Sequence, residues 1–158
     1  MKSDFYALSG RIKQSLSDIQ RVVDRVENLM EKAKKTGDDG YLDGVALNLH
    51  GFYAVIERIF EDIARTVDKS LPSGPVWHQD LVLQMSADSG ELRPRVICTE
   101  TRYCLDEYRG FRHIVRNVYT FYFKASRLEE LANGVRTCCR LVEKDLQSFN
   151  HFLLKTAG

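Results

Sequence analysis

The sequence predicts an all-α protein, an antiparallel four-helix bundle with a short extra helix in its central loop. Apolar residues recur at steps of three and four over most of the chain, which is the period of an amphipathic helix. All three prolines, Pro72, Pro75 and Pro94, lie in one window, so they separate two helical halves. No segment shows the alternation that is typical of a half-buried strand.

The first half of the chain is predicted to form a helical hairpin. Its first helix should end near Lys35, before the turn-forming residues 37–40. A second helix follows, and so short a turn favours antiparallel return. The predicted inner faces comprise Phe5, Leu8, Ile12, Leu16, Ile19, Val22, Val26 and Leu29 in the first helix, and Val45, Leu49, Phe52, Ile56, Ile59, Phe60, Ile63 and Val67 in the second.

The second half is predicted to contain one short helix within residues 71–97 and two long helices. The third long helix should begin at Thr99, as its N-cap, and continue to about Phe123. Ser126 and Glu129 have the spacing of a capping box, which predicts the start of the fourth helix. Its buried stripe should contain Leu128, Leu131, Val135, Leu141, Val142, Leu146, Phe149 and Phe152. With 158 residues in all, we expect a single domain over residues 1–158.

Composition restricts the possible functions. The formal net charge of +1 is too small for binding nucleic acid by bulk charge, so such a function needs a local basic patch. No apolar run reaches the roughly 18 residues that a membrane span requires, and no apolar block follows the first residues as in a secretory signal. We therefore expect a cytoplasmic protein without a membrane partner.

The cysteines and histidines show no metal-binding or cofactor motif. Cys98, Cys104, Cys138 and Cys139 form no Cys-x-x-Cys pair, and the histidines are scattered, so no zinc site is expected. We expect all four cysteines to be reduced, as in most cytosolic proteins, with a regulatory disulfide as the less favoured alternative. The sequence carries no glycine-rich phosphate loop and no signature of a nucleotide cofactor. His78, close to Trp77 and Asp80, is expected to cap or fix a loop.

The third long helix carries an unusual basic stripe. Six polar residues fall within an arc of about 120° on this helix: Arg102, Arg109, Arg112, His113, Arg116 and Tyr119. The apolar side is predicted to comprise Phe111, Ile114, Val115, Val118, Phe121 and Tyr122. Asp106 and Glu107 fall off the basic centre, so the stripe should repel itself unless an anion or a partner's carboxylates compensate it.

Two interpretations of this stripe are open. Charge runs usually mark a solvated helix face, with arginine stems covering their neighbours. Alternatively, guanidinium groups bind phosphate bidentately, and a histidine beside them transfers protons near neutral pH. Such a set would hold an RNA phosphodiester, activate its 2′-hydroxyl and stabilise the charged phosphorane without metal.

Residues 109–119 resemble the active-site helix of HEPN-domain ribonuclease toxins, specifically the HepT-like group. The family motif is Arg, four residues, His, one residue, Tyr; Arg112 matches the arginine and Tyr119 the tyrosine. The resemblance extends over most of the chain from Gly74 onward, through residues 77–81, Arg93-Pro94 and residues 120–152. It implies a homodimer whose two motif helices face each other across an RNA-binding cleft.

The resemblance also implies a partner. The usual antitoxin of this group is a small nucleotidyltransferase that can attach AMP to the motif tyrosine, which is Tyr119 here. Tyr119 lies within about 20° of Arg112 on an ideal helix. An added phosphate would therefore meet the arginines and block RNA binding by charge and by bulk. A buried aromatic at the edge of the core stripe is the other explanation of Tyr119.

At the position of the motif histidine this sequence has Asn117, which binds a 2′-hydroxyl or phosphate but transfers no proton at neutral pH. Three explanations stay open: His113 supplies the proton transfer, the protein is a weakened or inactive member that retains binding, or asparagine was introduced to inactivate a toxic nuclease. The function predicted first is a metal-independent endoribonuclease toxin that cleaves a structured cytosolic RNA such as tRNA. The alternative is a substrate-binding subunit for a nucleotidyltransferase, and a third class is a helical interaction module.

Overall fold

The computed structural model describes residues 2–117 and 124–158, with the backbone alone at residues 113 and 115–117. It contains the helices α1 (Lys2–Thr36), α2 (Gly40–Ile63), α3 (Trp77–Ser86), α4 (Thr99–Asn117) and α5 (Ala125–Ala157), and a π-helical turn, Ala64–Asp68, continues α2. The described ranges contain no strand. The predicted all-α bundle with a short extra helix is confirmed; the predicted continuation of α4 to Phe123 lies outside the described residues.

The hairpin of α1 and α2 turns through residues 37–39, as predicted. Gly37 has a φ of 69°, a left-handed conformation that glycine adopts without a side-chain clash. Its N–H donates to the carbonyl of Ala33 at 3.0 Å, which closes the last turn of α1. The carboxylate of Asp38 accepts the N–H of Gly40 at 2.9 Å. Local hydrogen bonds therefore fix both ends of the turn.

The core lies where α1, α2 and α5 pack together, and α4 closes it against α2 and α5. Every predicted inner-face residue of α2 is buried, and in α1 only Phe5 and Val22 are partly exposed. The short helix α3 packs against α2 and α4. Polar side chains on the facing surfaces of α2, α3 and α4 are thereby brought together.

A carboxylate on α5 fixes the start of α4. Asp145 accepts the backbone N–H of Cys98 at 3.0 Å and the hydroxyl of Thr101 at 2.6 Å. Arg102 donates its N–H to the carbonyl of Cys98 at 3.0 Å, so the first helical turn includes Thr99. The predicted start of α4 is therefore correct to within one residue.

The capping box predicted at Ser126 is not formed. The helix α5 begins at Ala125, and its N-cap Lys124 makes no side-chain cap hydrogen bond. The carbonyl of Lys124 accepts the N–H groups of Arg127 and Leu128, both at 3.1 Å. Because these bonds form the first turn, Ser126 lies inside the helix rather than at its cap.

The prediction that all four cysteines are reduced is wrong for two of them. Cys104 of α4 and Cys138 of α5 form a disulfide, with Cα atoms 5.9 Å apart, within the usual range for such a bridge. Cys98 and Cys139 are free. The two bridged cysteines are 34 residues apart, so only the packing of α4 on α5 reveals the pair.

Candidate functional site

Arg112, the arginine of the motif, lies in a largely buried position between α4 and α2. Its side chain is 16% exposed, and its Nη2 lies 3.6 Å from Oε1 of Glu57. That distance is too long for a good hydrogen bond. The Nε of Arg112 is buried and has no hydrogen-bond partner among the described residues. A guanidinium group has five N–H donors, and the Nε–H of Arg112 is one that the described residues leave unsatisfied.

Glu57 connects Arg112 to a histidine on a third helix. The Glu57 side chain is only 4% exposed, and its Oε2 lies 2.7 Å from Nδ1 of His78. One carboxylate thus contacts a guanidinium through one oxygen and an imidazole through the other. His78 was expected to cap or fix a loop; instead it pairs with Glu57 across two helices.

The sequence places Glu57 here because it belongs to the buried side of α2. Tyr53 and Glu57 are four residues apart, so they are neighbours on one helix face, next to the predicted inner stripe. Buried carboxylates are rare unless they are paired. A glutamate on the border of an apolar stripe was the signal available in the sequence, but Glu57 was not among the predicted site residues.

Tyr53 adds a second polar atom without a partner to this cluster. The residue is fully buried, and its hydroxyl has no hydrogen-bond partner among the residues that the structure describes. Burial raises the pKa of Tyr53, the nearby charge of Glu57 raises it further, and Arg109 and Arg112 act to lower it. Both arginines therefore lie close enough to influence the same buried phenol.

Arg109 and Arg102 differ in their surroundings. The Nε of Arg109 lies 3.3 Å from Oδ1 of Asp106, one turn earlier on α4, so Asp106 is closer to the basic centre than the sequence predicted. The guanidinium carbon of Arg102 lies 5.1 Å from the centre of the exposed Tyr103 ring. Arg102 and Arg112 are ten residues apart, about 15 Å along the helix.

Four predicted site residues are not tested by side-chain geometry. His113, Arg116 and Asn117 lie in the α4 helix, but only their backbone is described. Tyr119 lies outside the described residues. From the predicted set, Arg109 and Arg112 both influence the buried Tyr53, and the structure adds Glu57, His78 and Tyr53 to the candidate site. We call Tyr53, Glu57, His78 and Arg112 the polar cluster.

The apolar side of α4 agrees only in part with the prediction. Phe111 is 5% exposed, whereas Ile114 is 47% exposed and so lies outside the core. Tyr108 is buried, and its hydroxyl donates to the carbonyl of Leu131 on α5 at 2.8 Å. The core contact of α4 is therefore made by its middle turns, and Ile114 leaves an apolar side chain on the surface near the motif.

Metal-binding groups and membrane-spanning helices are both absent from the part of the chain that the structure describes. No group of three or more His, Cys, Asp or Glu side chains there is arranged to hold a metal ion. None of the described helices combines the length and the apolar character needed to cross a membrane.

The comparisons agree with the resemblance of the motif helix. No curated protein and no solved structure matches the chain. Residues 44–153 match the family model described as HepT-like protein. The match begins within α2 and so includes Glu57, whereas the resemblance found in the sequence began near Gly74. Because the matched residues make up more than half of the sequence and contain the whole polar cluster, the chain belongs to the HepT-like family of HEPN-domain proteins.

Proposed function

We propose that this HepT-like protein is a metal-independent endoribonuclease, the toxin of a toxin–antitoxin pair, acting on a structured cytosolic RNA such as tRNA. The observation that carries the proposal is the environment of Arg112. Arg112 has a mostly buried guanidinium with a buried Nε–H that has no partner among the described residues. An unsatisfied buried donor costs free energy, and a phosphate oxygen is the partner that guanidinium chemistry favours.

In this proposal Arg112 binds the scissile phosphate. Arg109, Arg116 and Arg102 extend the binding of the RNA backbone along α4. Asn117 or His113 orients the 2′-hydroxyl, and of these two only His113 can also remove its proton. A homodimer would place two motif helices across one cleft, as the family resemblance implies.

The control of the proposed toxin would be exerted through Tyr119. A nucleotidyltransferase antitoxin would attach AMP to its hydroxyl, and the added phosphate would compete with RNA for the arginines. Intact mass after production together with such a partner tests this step, because a single adenylate would add one fixed increment to the mass of the chain.

The test of the nuclease proposal is the variant Arg112→Met, assayed on structured RNA in the presence of EDTA. Loss of one donor to a charged transition state typically costs 10²- to 10³-fold in rate, so we expect a loss on the order of 10²-fold or more. Arg140→Met, at an exposed arginine on α5, is the matched control and should cleave normally. Normal cleavage by Arg112→Met, with its circular dichroism unchanged, would contradict the assignment.

A second candidate function rests on Asn117. A HepT-like chain without the motif histidine would serve as a substrate-binding subunit for a nucleotidyltransferase, using the same basic helix. The variant Asn117→His separates the two functions. Cleavage should increase at least tenfold if the chain is an enzyme with a weakened site, on the scale expected for one proton-transfer group. In a binding subunit the substitution should produce no cleavage.

A further inference from the structure

The pair of His78 and Glu57 lies outside the motif helix, and the proposed function does not use it. We propose that His78 is the general base that takes the proton of the RNA 2′-hydroxyl, and that Glu57 is its positioning residue. This inference rests on the proposed nuclease function and deepens it. It assigns a proton-transfer group to a site whose motif position, Asn117, cannot provide one.

The contact with Glu57 determines which nitrogen of His78 can act. A carboxylate oxygen accepts hydrogen bonds only, so at 2.7 Å the Nδ1 of a neutral His78 holds the hydrogen. The lone pair then lies on Nε2, which is the proton acceptor. The same carboxylate stabilises the imidazolium that forms when Nε2 takes a proton, as the carboxylate of a catalytic triad does.

The surroundings of His78 hold the ring in place while leaving part of it accessible. The Trp77 ring lies against it, with centroids 3.7 Å apart and planes 31° apart. The His78 side chain is 25% exposed, against 4% for Glu57. A ring fixed by a carboxylate at one nitrogen and an indole on one face has few orientations to choose from. Substrate can therefore approach an oriented group rather than a freely rotating one.

Glu57 also fixes the position of His78 relative to the proposed phosphate site. Its two oxygens contact Arg112 and His78 separately, so the guanidinium and the imidazole are neighbours separated by one carboxyl group. A phosphodiester bound to Arg112 would bring its adjacent ribose toward His78. Among the described residues, Arg109 and Asp106 are further charged groups near this site, and with Glu57 and Arg112 they influence Tyr53.

The step that follows is a transesterification. The 2′-oxygen attacks phosphorus and its proton passes to Nε2 of His78, while the bond from phosphorus to the 5′-oxygen breaks. The 5′-oxygen takes a proton from water. The products are a 2′,3′-cyclic phosphate and a 5′-hydroxyl end, and His78 returns its proton to solvent. No oxidant, reductant or metal is needed for the balance.

The experiment is chemical rescue of His78→Ala in single-turnover cleavage at saturating protein. We expect the rate constant to fall by about 10²- to 10³-fold, the affinity for RNA to stay within about twofold, and added imidazole to restore part of the rate. A purely structural histidine would not give this rescue, and the melting temperature, measured with and without imidazole, should not change. His151→Ala, at an exposed histidine on α5, is the matched control and should cleave normally. Should His78→Ala not fold, His78→Gln is assayed for the same loss of rate at unchanged affinity.

Glu57→Gln should also lower the rate constant, because an amide can turn its NH₂ toward Nδ1 and favour the wrong tautomer. Full-rate cleavage by His78→Ala, or a loss that imidazole does not restore, would overturn the inference. So would imidazole rescue of His113→Ala in place of His78→Ala. In these cases the wild-type protein still cleaves RNA and the proposed function stands. Absence of cleavage by the wild-type protein would instead contradict the proposed function itself.

Discussion

Two arginines in this protein, one buried and one largely buried, are satisfied to very different degrees. Arg93 is 1% exposed, and its Nε and Nη2 bind the two carboxylate oxygens of Asp68 at 2.6 and 2.8 Å. It also donates to the carbonyls of Gln84, Ala87 and Pro94 at 3.0–3.1 Å. Among the described residues, Arg112 has one ion pair, at 3.6 Å, and its buried Nε has no partner there.

The difference separates a structural arginine from the arginine that we propose binds a phosphate. The fork of Arg93 joins the end of the π-helical turn, at Asp68, to α3 and to the loop that precedes α4, and it has no free donors for a substrate. Arg112 is placed by the same kind of buried carboxylate, but its contact is loose. A buried charge that is fully hydrogen-bonded contributes to the fold, whereas one left partly unsatisfied indicates a site.

The largest effect on stability is expected from Arg93→Met. Removing one partner of a buried ion pair typically costs about 3–5 kcal/mol, because Asp68 stays buried with an uncompensated charge. The free energy of unfolding, measured by urea denaturation, should fall by about that amount. The double variant Arg93→Met with Asp68→Leu should recover part of the loss. A decrease below about 1 kcal/mol would mean that the fork is not structural.

A smaller effect on stability is expected from Arg112→Met. This variant removes one loose ion pair and also one unsatisfied donor, and Glu57 keeps its contact with His78. The free energy of unfolding should therefore fall by only about 1–2 kcal/mol. Inorganic phosphate should raise the melting temperature of the wild-type protein by about 3–6 °C at tenfold its Kd, and this shift should disappear in the variant.

Two results would contradict this contrast between the arginines. One is a decrease in the free energy of unfolding that is as large for Arg112→Met as for Arg93→Met. The other is an equal rise in melting temperature with phosphate for Arg112→Met and for the wild-type protein. Either result would make Arg112 a second structural arginine. The Arg140→Met control should retain both the wild-type stability and the response to phosphate.

The helices could be predicted from the sequence because apolar residues recur along each of them at steps of three and four. The polar cluster could not be predicted in this way. Phe52, Ile56 and Phe60 mark the inner face of α2 by spacing alone. Glu57 sits beside that stripe, but its partners lie 21 and 55 residues away, on α3 and α4. Contacts between helices depend on how the helices pack, which the local periodicity of the sequence does not predict. For the same reason the disulfide between Cys104 and Cys138 was not predicted.

The motif arginine was predictable because the family pattern is local: Arg112 is identified by its distance in sequence from Asn117 and Tyr119. The partner of Arg112 was not predictable. The expected self-repulsion depended on the acidic residues of α4 alone, whereas the carboxylate that pairs with Arg112 belongs to α2. The charge on α4 is therefore balanced partly by a residue of another helix.

The smallest effect on stability is expected at the hydroxyl of Tyr53, the second unsatisfied group of the polar cluster. It is measured by comparing Tyr53 with Tyr108, another buried tyrosine. Burial raises the pKa of both Tyr53 and Tyr108, so neither phenol carries charge near neutral pH and a change to Phe alters only the hydrogen bonding. Tyr108→Phe removes the bond to the carbonyl of Leu131 and should cost about 1 kcal/mol in the free energy of unfolding. Tyr53→Phe removes a buried hydroxyl that has no partner among the described residues, so the free energy of unfolding should stay unchanged or rise by up to about 1 kcal/mol. Equal losses in the two variants would mean that the Tyr53 hydroxyl has a hydrogen-bond partner in the folded protein. Among the described groups of the polar cluster, Arg112 would then be the one with an unsatisfied donor for an anion.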